Sequence, residues 1–291
     1  MIMNRQELRQ VTVVMVTHHS AHCLALQNDL LAHCPNIIIS DNASNDGTPE
    51  QAKALWPHAT VLAHPNNLGF GAANNRALAL VTTPFAFLLN PDCAITPEAL
   101  LALMSAAQDM PDAALIAPQL LGTKGKPELN YRWPQTKWDS KGAGAEGPTC
   151  VGFVCGAAMF FRVAHFGLVG FFDETFFLYY EDDDLCLRLF NAKLPMVLVP
   201  DALAIHSSRG SVKGQAPLKS EYVRGYHHVQ SKLTFENKHG SLKSALQKRR
   251  RLMASTVLLL FVRILLLSPK RFARSWGRWQ GLWAWEPAHG H

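Results

Sequence analysis

The sequence predicts an α/β fold with a mostly parallel central sheet flanked by helices, followed by a basic helical tail. Three observations predict it. Runs that read as buried strands alternate with helical stretches at short spacing through the first half. The residues directly after those runs are polar, as at the carboxyl ends of strands in an open sheet, where ligands bind. Charge is unevenly divided along the 291 residues: the formal net charge is +6, from 28 Lys+Arg against 22 Asp+Glu. Of these, 11 Lys+Arg and one acid (Glu286) lie from Lys238 onward, leaving 17 Lys+Arg and 21 acids before it, a tail of +10 on a body of −4. A basic excess confined to one end points away from a nucleic-acid-binding body and toward a tail that meets an anionic surface. With 48% hydrophobic and 17% charged residues, the chain is neither disordered nor a small disulfide-stapled domain. We therefore expect two parts, residues 1–237 and residues 238–291.

The first strand is Val11–Thr17, β-branched and almost continuously apolar, as a strand buried on both faces should be. Ile37–Ile39, Val61–Ala63 and Phe85–Leu89 repeat the type. Between them, Asn74–Val81 carries Ala and Leu at helical spacing, and Thr96–Gln108 opens with Thr96 as N-cap and Pro97 at the first helical position. The stretch Gly122–Pro148, rich in Gly, Lys and Pro, reads as a mobile loop or crossing segment. An aromatic run, Phe176 to Tyr180, leads into Glu181-Asp182-Asp183-Asp184, and the apolar pattern after these acids puts them on the first turn of a helix. Two strand-like runs, Met196–Val199 and Ala202–Ile205, end at His206. The six cysteines form no C-x-x-C pair or zinc spacing, and Met1–Gln10 lacks the pattern of a signal peptide. Both features fit a reducing, cytosolic compartment with cysteines as small core residues.

Each polar cluster has a plain reading and a chemical one. Asp41, in the Asx- and Gly-rich run from Asp41 to Thr48, is either a turn former or an acceptor for a nucleotide base or ribose. Asn67-Leu68-Gly69-Phe70-Gly71 precedes a helix, so its glycines admit a phosphate to the helix N-terminus, but it lacks the dinucleotide fingerprint. Asn90-Pro91-Asp92 is either a turn or a pair of oxygen-bearing side chains for Mg²⁺ or Mn²⁺ shared with substrate phosphates. One or two acids suffice to complement a helix dipole. Four, beneath an aromatic wall that desolvates them, suggest one kept as a general base. His206 is a metal ligand or a surface histidine.

Taken in order, these residues resemble the glycosyltransferase family 2 enzymes of GT-A fold, in particular the rhamnosyltransferase-like branch. The match comprises Val16-Thr17, Asp41 to Gly47, Asn67-Leu68-Gly69-Phe70 with Asn74-Asn75, Leu88 to Asp92, and Gly170 to Glu174 through Tyr180-Glu181-Asp182-Asp183-Asp184-Leu185 to Arg188. The resemblance implies a GT-A catalytic domain over residues 1–237, a nucleotide-sugar donor and an inverting displacement. It implies donor contacts at Thr17, Asp41, Asn67, Gly69, Asn75, Asn90 and Asp92, and acceptor contacts at Tyr180 and Glu181. Asp182 maps to the general base, and Asp92 with His206 to the ligands of a divalent metal, Mg²⁺ or Mn²⁺. Three positions depart from the pattern. His18-His19 stands where the family has Tyr-Asn, Asn90 replaces the first Asp of Asp-x-Asp, and Asp183 occupies a usually apolar position. The branch makes dTDP-rhamnose the leading donor and a lipid-linked or cell-surface polysaccharide the acceptor. The alternatives are a UDP-hexose-dependent transferase and a non-catalytic membrane adaptor with a degenerate transferase domain.

In the tail, Leu252–Leu267 is apolar apart from Ser255, Thr256 and Arg263, and its sixteen residues rise about 24 Å, short of the roughly 20 residues a span requires. Arg249, Thr256, Arg263 and Lys270 recur every seven residues as a narrow polar stripe, which predicts a helix lying in the membrane interface. Trp276, Trp279, Trp283 and Trp285 follow as an interfacial belt. The expected location is peripheral, on the cytoplasmic face of the bacterial inner membrane. Packing of the same helix on the catalytic domain or in a homodimer is the alternative, and no nucleic-acid partner is expected.

Overall fold

The structure is a computed structural model that describes residues 5–129, 131, 144–207, 210 and 216–287. In chain order the elements are α1 (Arg5–Leu8), β1 (Val11–Thr17), a 3-10 turn (Leu24–Gln27), α2 (Asn28–Leu31), β2 (Asn36–Asp41), α3 (Thr48–Leu55) and β3 (Thr60–Ala63). Then come α4 (Phe70–Leu78), β4 (Phe85–Leu89), β5 (Cys93–Ile95), α5 (Pro97–Asp109), β6 (Leu115–Leu121), β7 (Thr149–Val151) and β8 (Ala158–Arg162). A short α6 (Phe166–Val169), α7 (Glu181–Asn191), β9 (Met196–His206) and three long helices, α8 (Pro217–His239), α9 (Leu242–Leu265) and α10 (Pro269–Ala284), complete the chain.

The strands form one sheet in the order β3-β2-β1-β4-β8-β6-β9-β5, with β7 also on β9. From β3 to β4 every pairing is parallel. At β8 the direction reverses, and β6 with β9 is again parallel. The parallel half is where the alternation of strand and helix was legible. β1 is buried along its whole length, with Val13 and Met15 in the core on one face and Val14 in the core on the other. Because β1, β2 and β4 run the same way, Thr17, Asp41 and Asn90 all lie at the same edge of the sheet. The two runs expected before His206 are a single strand, β9. Its register against β6 slips between Pro118 and Gln119, where β9 advances from Val199 to Leu203 and so accommodates Pro200, which has no N–H for the ladder.

The chain divides into two compact units. One runs from the N-terminus to Asp173 and resumes at Asp182, and the other takes Glu174–Glu181 and the C-terminal helices. The boundary expected at 237/238 falls in the last turn of α8, whereas the helical unit begins before that helix. In the helical unit Val229, Leu233, Ala245, Leu282 and Trp285 form a small core. Two expectations for the tail are corrected there. The stripe is turned inward: Thr256 is fully buried, and the two arginines satisfy carbonyls of α10, Arg249 donating to Leu282 O and Trp283 O and Arg263 to Arg271 O and to the Ser275 hydroxyl. Lys270 alone of the four is exposed. The tryptophans do not form one belt either, since Trp285 packs in the core and donates to Thr234 Oγ1, while Trp276 and Trp283 are exposed. Among the described residues no helix is long and apolar enough to cross a membrane. Of the cysteines, four are buried, Cys155 is half-buried and Cys150 is exposed, so not all of them are core residues. Much of Gly122–Pro148 lies outside the described residues; the part before Leu129 folds back on β6, with Glu128 N donating to Leu120 O.

Candidate active site

The parallel register places Thr17 directly opposite Asp41. Thr17 Oγ1 donates to Asp41 Oδ1 at 2.8 Å, while Ser44 donates from its hydroxyl to Oδ1 at 2.6 Å and from its N–H to Oδ2 at 2.9 Å. Asp41 is only 1% exposed, so its carboxylate first of all shapes the loop after β2. Beside it His18 donates from Nδ1 to Asn42 O at 2.7 Å, which leaves Nε2 to accept from Asn67 Nδ2 at 3.4 Å. Burial holds the His18 imidazole below its usual range, so it is neutral at pH 7. Asn42, which the sequence did not mark, ties the next loop in by donating to Gly69 O and accepting from Leu68 N. Asn67 Oδ1 accepts from Gly69 N at 2.9 Å. Gly69 has φ +89°, open to glycine, and hands the chain straight into α4. Thr17, Asp41, Asn67 and Gly69 therefore share one polar, amide-rich edge at the ends of β1 and β2. Asn75 is occupied differently. Its amide brackets the backbone of Phe172, donating to O at 2.8 Å and accepting from N at 3.1 Å.

The second cluster forms after β4. Gln27, fully buried, donates to Pro91 O and Cys93 O and so clamps Asn90-Pro91-Asp92. Antiparallel pairing sets Cys93 opposite His206, which brings Asp92 Oδ1 to 3.9 Å from His206 Nε2. Asp92 Oδ2 accepts from Gly210 N at 2.9 Å. Glu128, unmarked in the sequence because it sits in the loop-like stretch after β6, brings Oε2 to 3.6 Å from His206 Nδ1. A carboxylate oxygen and an imidazole nitrogen suit Mn²⁺ or Mg²⁺, and a second carboxylate on the far ring nitrogen is the usual support for a ligating histidine. The residues fit such an ion. Among the described residues no group of three His, Cys, Asp or Glu side chains is arranged to hold a metal unaided, so a metal here would complete its shell with ligand oxygens.

The four acids open α7 as the pattern predicts, and the structure separates them. Asp184 has no exposure and pairs with Arg188 at 2.8 Å, whose guanidinium also donates to the carbonyls of Val169, Gly170 and Phe171. Glu181 and Asp183 are buried. Asp182 alone is partly exposed. Its Oδ2 accepts from Gly156 N at 3.1 Å and its Oδ1 from Asp183 N at 3.0 Å. A Cβ on Gly156 would lie 3.4 Å from the Phe70 ring and 3.6 Å from Asp182 Oδ2. The next residue, Ala157, accepts from Asn90 N at 2.9 Å. One backbone step therefore joins the partner of Asp182 to the loop carrying Asp92. Tyr180 belongs to the helical unit, where it packs on His228 and Phe235.

The pattern of the family described as "Glycosyl transferase family 2" matches residues 12–166, just over half of the chain. An N-acetylglucosaminyl-diphospho-decaprenol L-rhamnosyltransferase of Mycobacterium tuberculosis is 30% identical over 204 residues, covering 59% of this chain and 66% of that protein. A pre-mycofactocin glycosyltransferase of the same organism is 30% identical over 220 residues, covering 74% of this chain and 46% of that protein. The chain thus spans a little under two thirds of the first relative and about half of the second. Among solved structures, a mannosyltransferase from Pyrobaculum calidifontis in complex with GDP-Man and Mn²⁺ superposes with a TM-score of 0.57 at 15% identity, over 95% of this chain and 88% of that one. At that identity the likeness establishes the GT-A type of fold.

Proposed function

We propose, from the premise that this chain belongs to glycosyl transferase family 2, that it is an inverting, divalent-metal-dependent transferase. In this reading it moves a sugar from a nucleotide diphosphate to a lipid-linked or cell-surface polysaccharide acceptor. The leading donor is dTDP-rhamnose, supported by the name of the mycobacterial relative, with a UDP-hexose as the alternative. The observation that carries the reading is the segregation of the four acids. Asp184 is committed to Arg188, whereas Asp182 is accessible, held by two backbone N–H groups and one residue removed from the Asp92 loop.

The roles follow from the contacts. The edge formed by Thr17, Asp41, His18, Asn67 and Gly69 takes the nucleotide, with neutral His18 and the loop amides supplying uncharged polar contacts. Asp92 and His206, with Asn90 beside them, hold the cation, which when bound neutralises the charge developing on the leaving diphosphate. Asp182 accepts the proton of the acceptor hydroxyl as that oxygen attacks the anomeric carbon, and Tyr180 with Glu181 contributes to acceptor binding. The location we propose remains the cytoplasmic face of the inner membrane, and the exposed apolar row on α9 supports the membrane contact alone. Leu258, Phe261 and Leu265, at helical spacing, are 66%, 65% and 82% exposed.

The deciding experiment is a donor-hydrolysis screen over nucleotide sugars with Mn²⁺ and with EDTA. Hydrolysis of dTDP-rhamnose above UDP-hexoses, lost in EDTA, is the expected result. No turnover of any donor supports the adaptor alternative, and turnover unchanged by EDTA removes the metal roles of Asp92 and His206.

A further inference from the structure

The helical unit holds a group of cations that the roles above do not use. Helices α8 and α10 cross backbone to backbone: a Cβ on Gly225 would lie 2.0 Å from Arg274 O, and one on Gly277 2.0 Å from Tyr222 O. This approach turns His228 and Lys232, one turn apart on α8, toward Arg274 and Arg278, one turn apart on α10. The charges of Lys232, Arg274 and Arg278 all bear on His228, which burial and those cations push down to about 4. The rings of Tyr179 and Tyr180 close over the same histidine at 5.4 and 5.7 Å. Both tyrosines have left-handed backbones, φ +70° and +69°, a strained arrangement that persists only where the surroundings demand it.

The carboxylates nearby are committed elsewhere. Glu221 pairs with Arg224 at 3.0 Å and reaches Arg274 at 3.9 Å, and Glu236 is bonded by Lys248 and Ser244. Among the described residues, neither Lys232 nor Arg278 has a carboxylate within 4 Å, although both are half-buried. Glu236, itself bonded by Lys248 and Ser244, offsets only part of the charge on Lys232, so the half-buried group keeps a cationic excess, and a bound anion removes its cost. Arg263, whose charge reaches Arg278, stands between exposed Val262 and Ile264 on α9.

We propose that Lys232, Arg274 and Arg278, with His228 and the tyrosine pair, form a site for the diphosphate of a lipid-linked acceptor whose hydrocarbon lies along the apolar face of α9. The site rests on the lipid-linked acceptor of the proposed function. Guanidinium groups bind phosphate oxygens in pairs, and His228, uncharged, adds a polar contact without further repulsion.

The test is direct binding to the full chain, by calorimetry, of farnesyl diphosphate, farnesol and inorganic diphosphate. Farnesyl diphosphate is expected to bind at least about tenfold more tightly than either of the others, and Lys232→Gln combined with Arg278→Gln to weaken it by about tenfold or more. Lys243→Gln, an exposed lysine of the same unit, is expected to leave that affinity unchanged. Arg278→Lys, which keeps the charge but loses the paired donors, is expected to weaken binding by clearly less than the double variant does. Wild-type affinity in the double variant overturns the site. Equal loss with Lys243→Gln shows a diffuse field, equal loss with Arg278→Lys shows a packing effect, and equal affinity for inorganic diphosphate shows a free-diphosphate site; each overturns the proposal. Donor hydrolysis is read in a separate assay, so failure of the transferase reading and failure of this site are distinguishable.

Discussion

Asp182 and Asp184 stand two residues apart in the first turn of α7 and face different fates. Asp184 is sealed against Arg188, and that guanidinium spans three carbonyls of the preceding segment. Asp184→Asn therefore leaves a half-buried arginine without its charge partner and is expected to lower the melting temperature while the donor affinity of the surviving fold is kept. Asp182→Asn keeps shape and removes basicity. It is expected to reduce sugar transfer about 10²–10⁴-fold with nucleotide affinity unchanged, measured by turnover and by nucleotide titration; retained turnover sinks the base assignment. His228 gives a pH signature. Its folded value, about 4, lies below the ordinary 6.5, so its contribution to stability is complete above that ordinary value and is lost as pH falls from there toward 4. Melting curves between pH 7 and pH 4.5 are expected to fall less steeply for His228→Gln than for the wild type, and identical slopes count against the assignment. At this scale the sequence was informative about residue type and poor about partners. Asp92 and His206 were legible because Asp92 stands just after a strand and His206 at the end of one. Glu128 was not, because its approach to His206 depends on a turn after β6 that no periodicity announces.

Elements show the same division between pattern and orientation. Strands of the parallel half were readable because burial on both faces leaves an uninterrupted apolar run, as in β1 and β4. The antiparallel half was less so: β7 has three residues, two of them exposed, and β9 carries a proline and a register slip. In α9 the seven-residue polar period was visible, yet period alone does not say which face meets protein. Carbonyls near the end of α10 and the Ser275 hydroxyl settle it by accepting from Arg249 and Arg263, which turns the apolar side outward. Contact between α8 and α10 is decided by small residues that hydrophobic patterning overlooks. Gly277→Ala would drive a methyl group to 2.0 Å from Tyr222 O, so the helices must separate. The expected cost is on the order of 1–3 kcal/mol, read from chemical denaturation. Unchanged stability in that variant would remove the close crossing, and with it the convergence of Lys232 and Arg278.

For the whole molecule, the net charge of +6 conceals a division of labour along the chain: acids concentrate in the body and cations in the tail. The division suggests a simple test, deletion from residue 238, but the helical unit makes that deletion ambiguous. Val229 and Leu233 on α8 are 1% and 0% exposed, packed with Ala245, Leu282 and Trp285, so removing α9 and α10 uncovers them and favours aggregation. Substitution on the outer face avoids the problem. Leu258 and Phe261 are 66% and 65% exposed, and charging them disturbs no core contact. Each apolar side chain of this size contributes about 1.5–3 kcal/mol when buried, against about 1 kcal/mol for each cation near an anionic leaflet. Leu258→Glu with Phe261→Glu is therefore expected to lower flotation with vesicles of mixed anionic and zwitterionic phospholipid by about a hundredfold or more in partition constant. Raising salt weakens the cationic part alone, so wild-type binding should fall but persist. If the variant floats like the wild type, the apolar face does not anchor the protein. If the wild type is instead a dimer that the same substitutions dissociate, the face is a contact between copies.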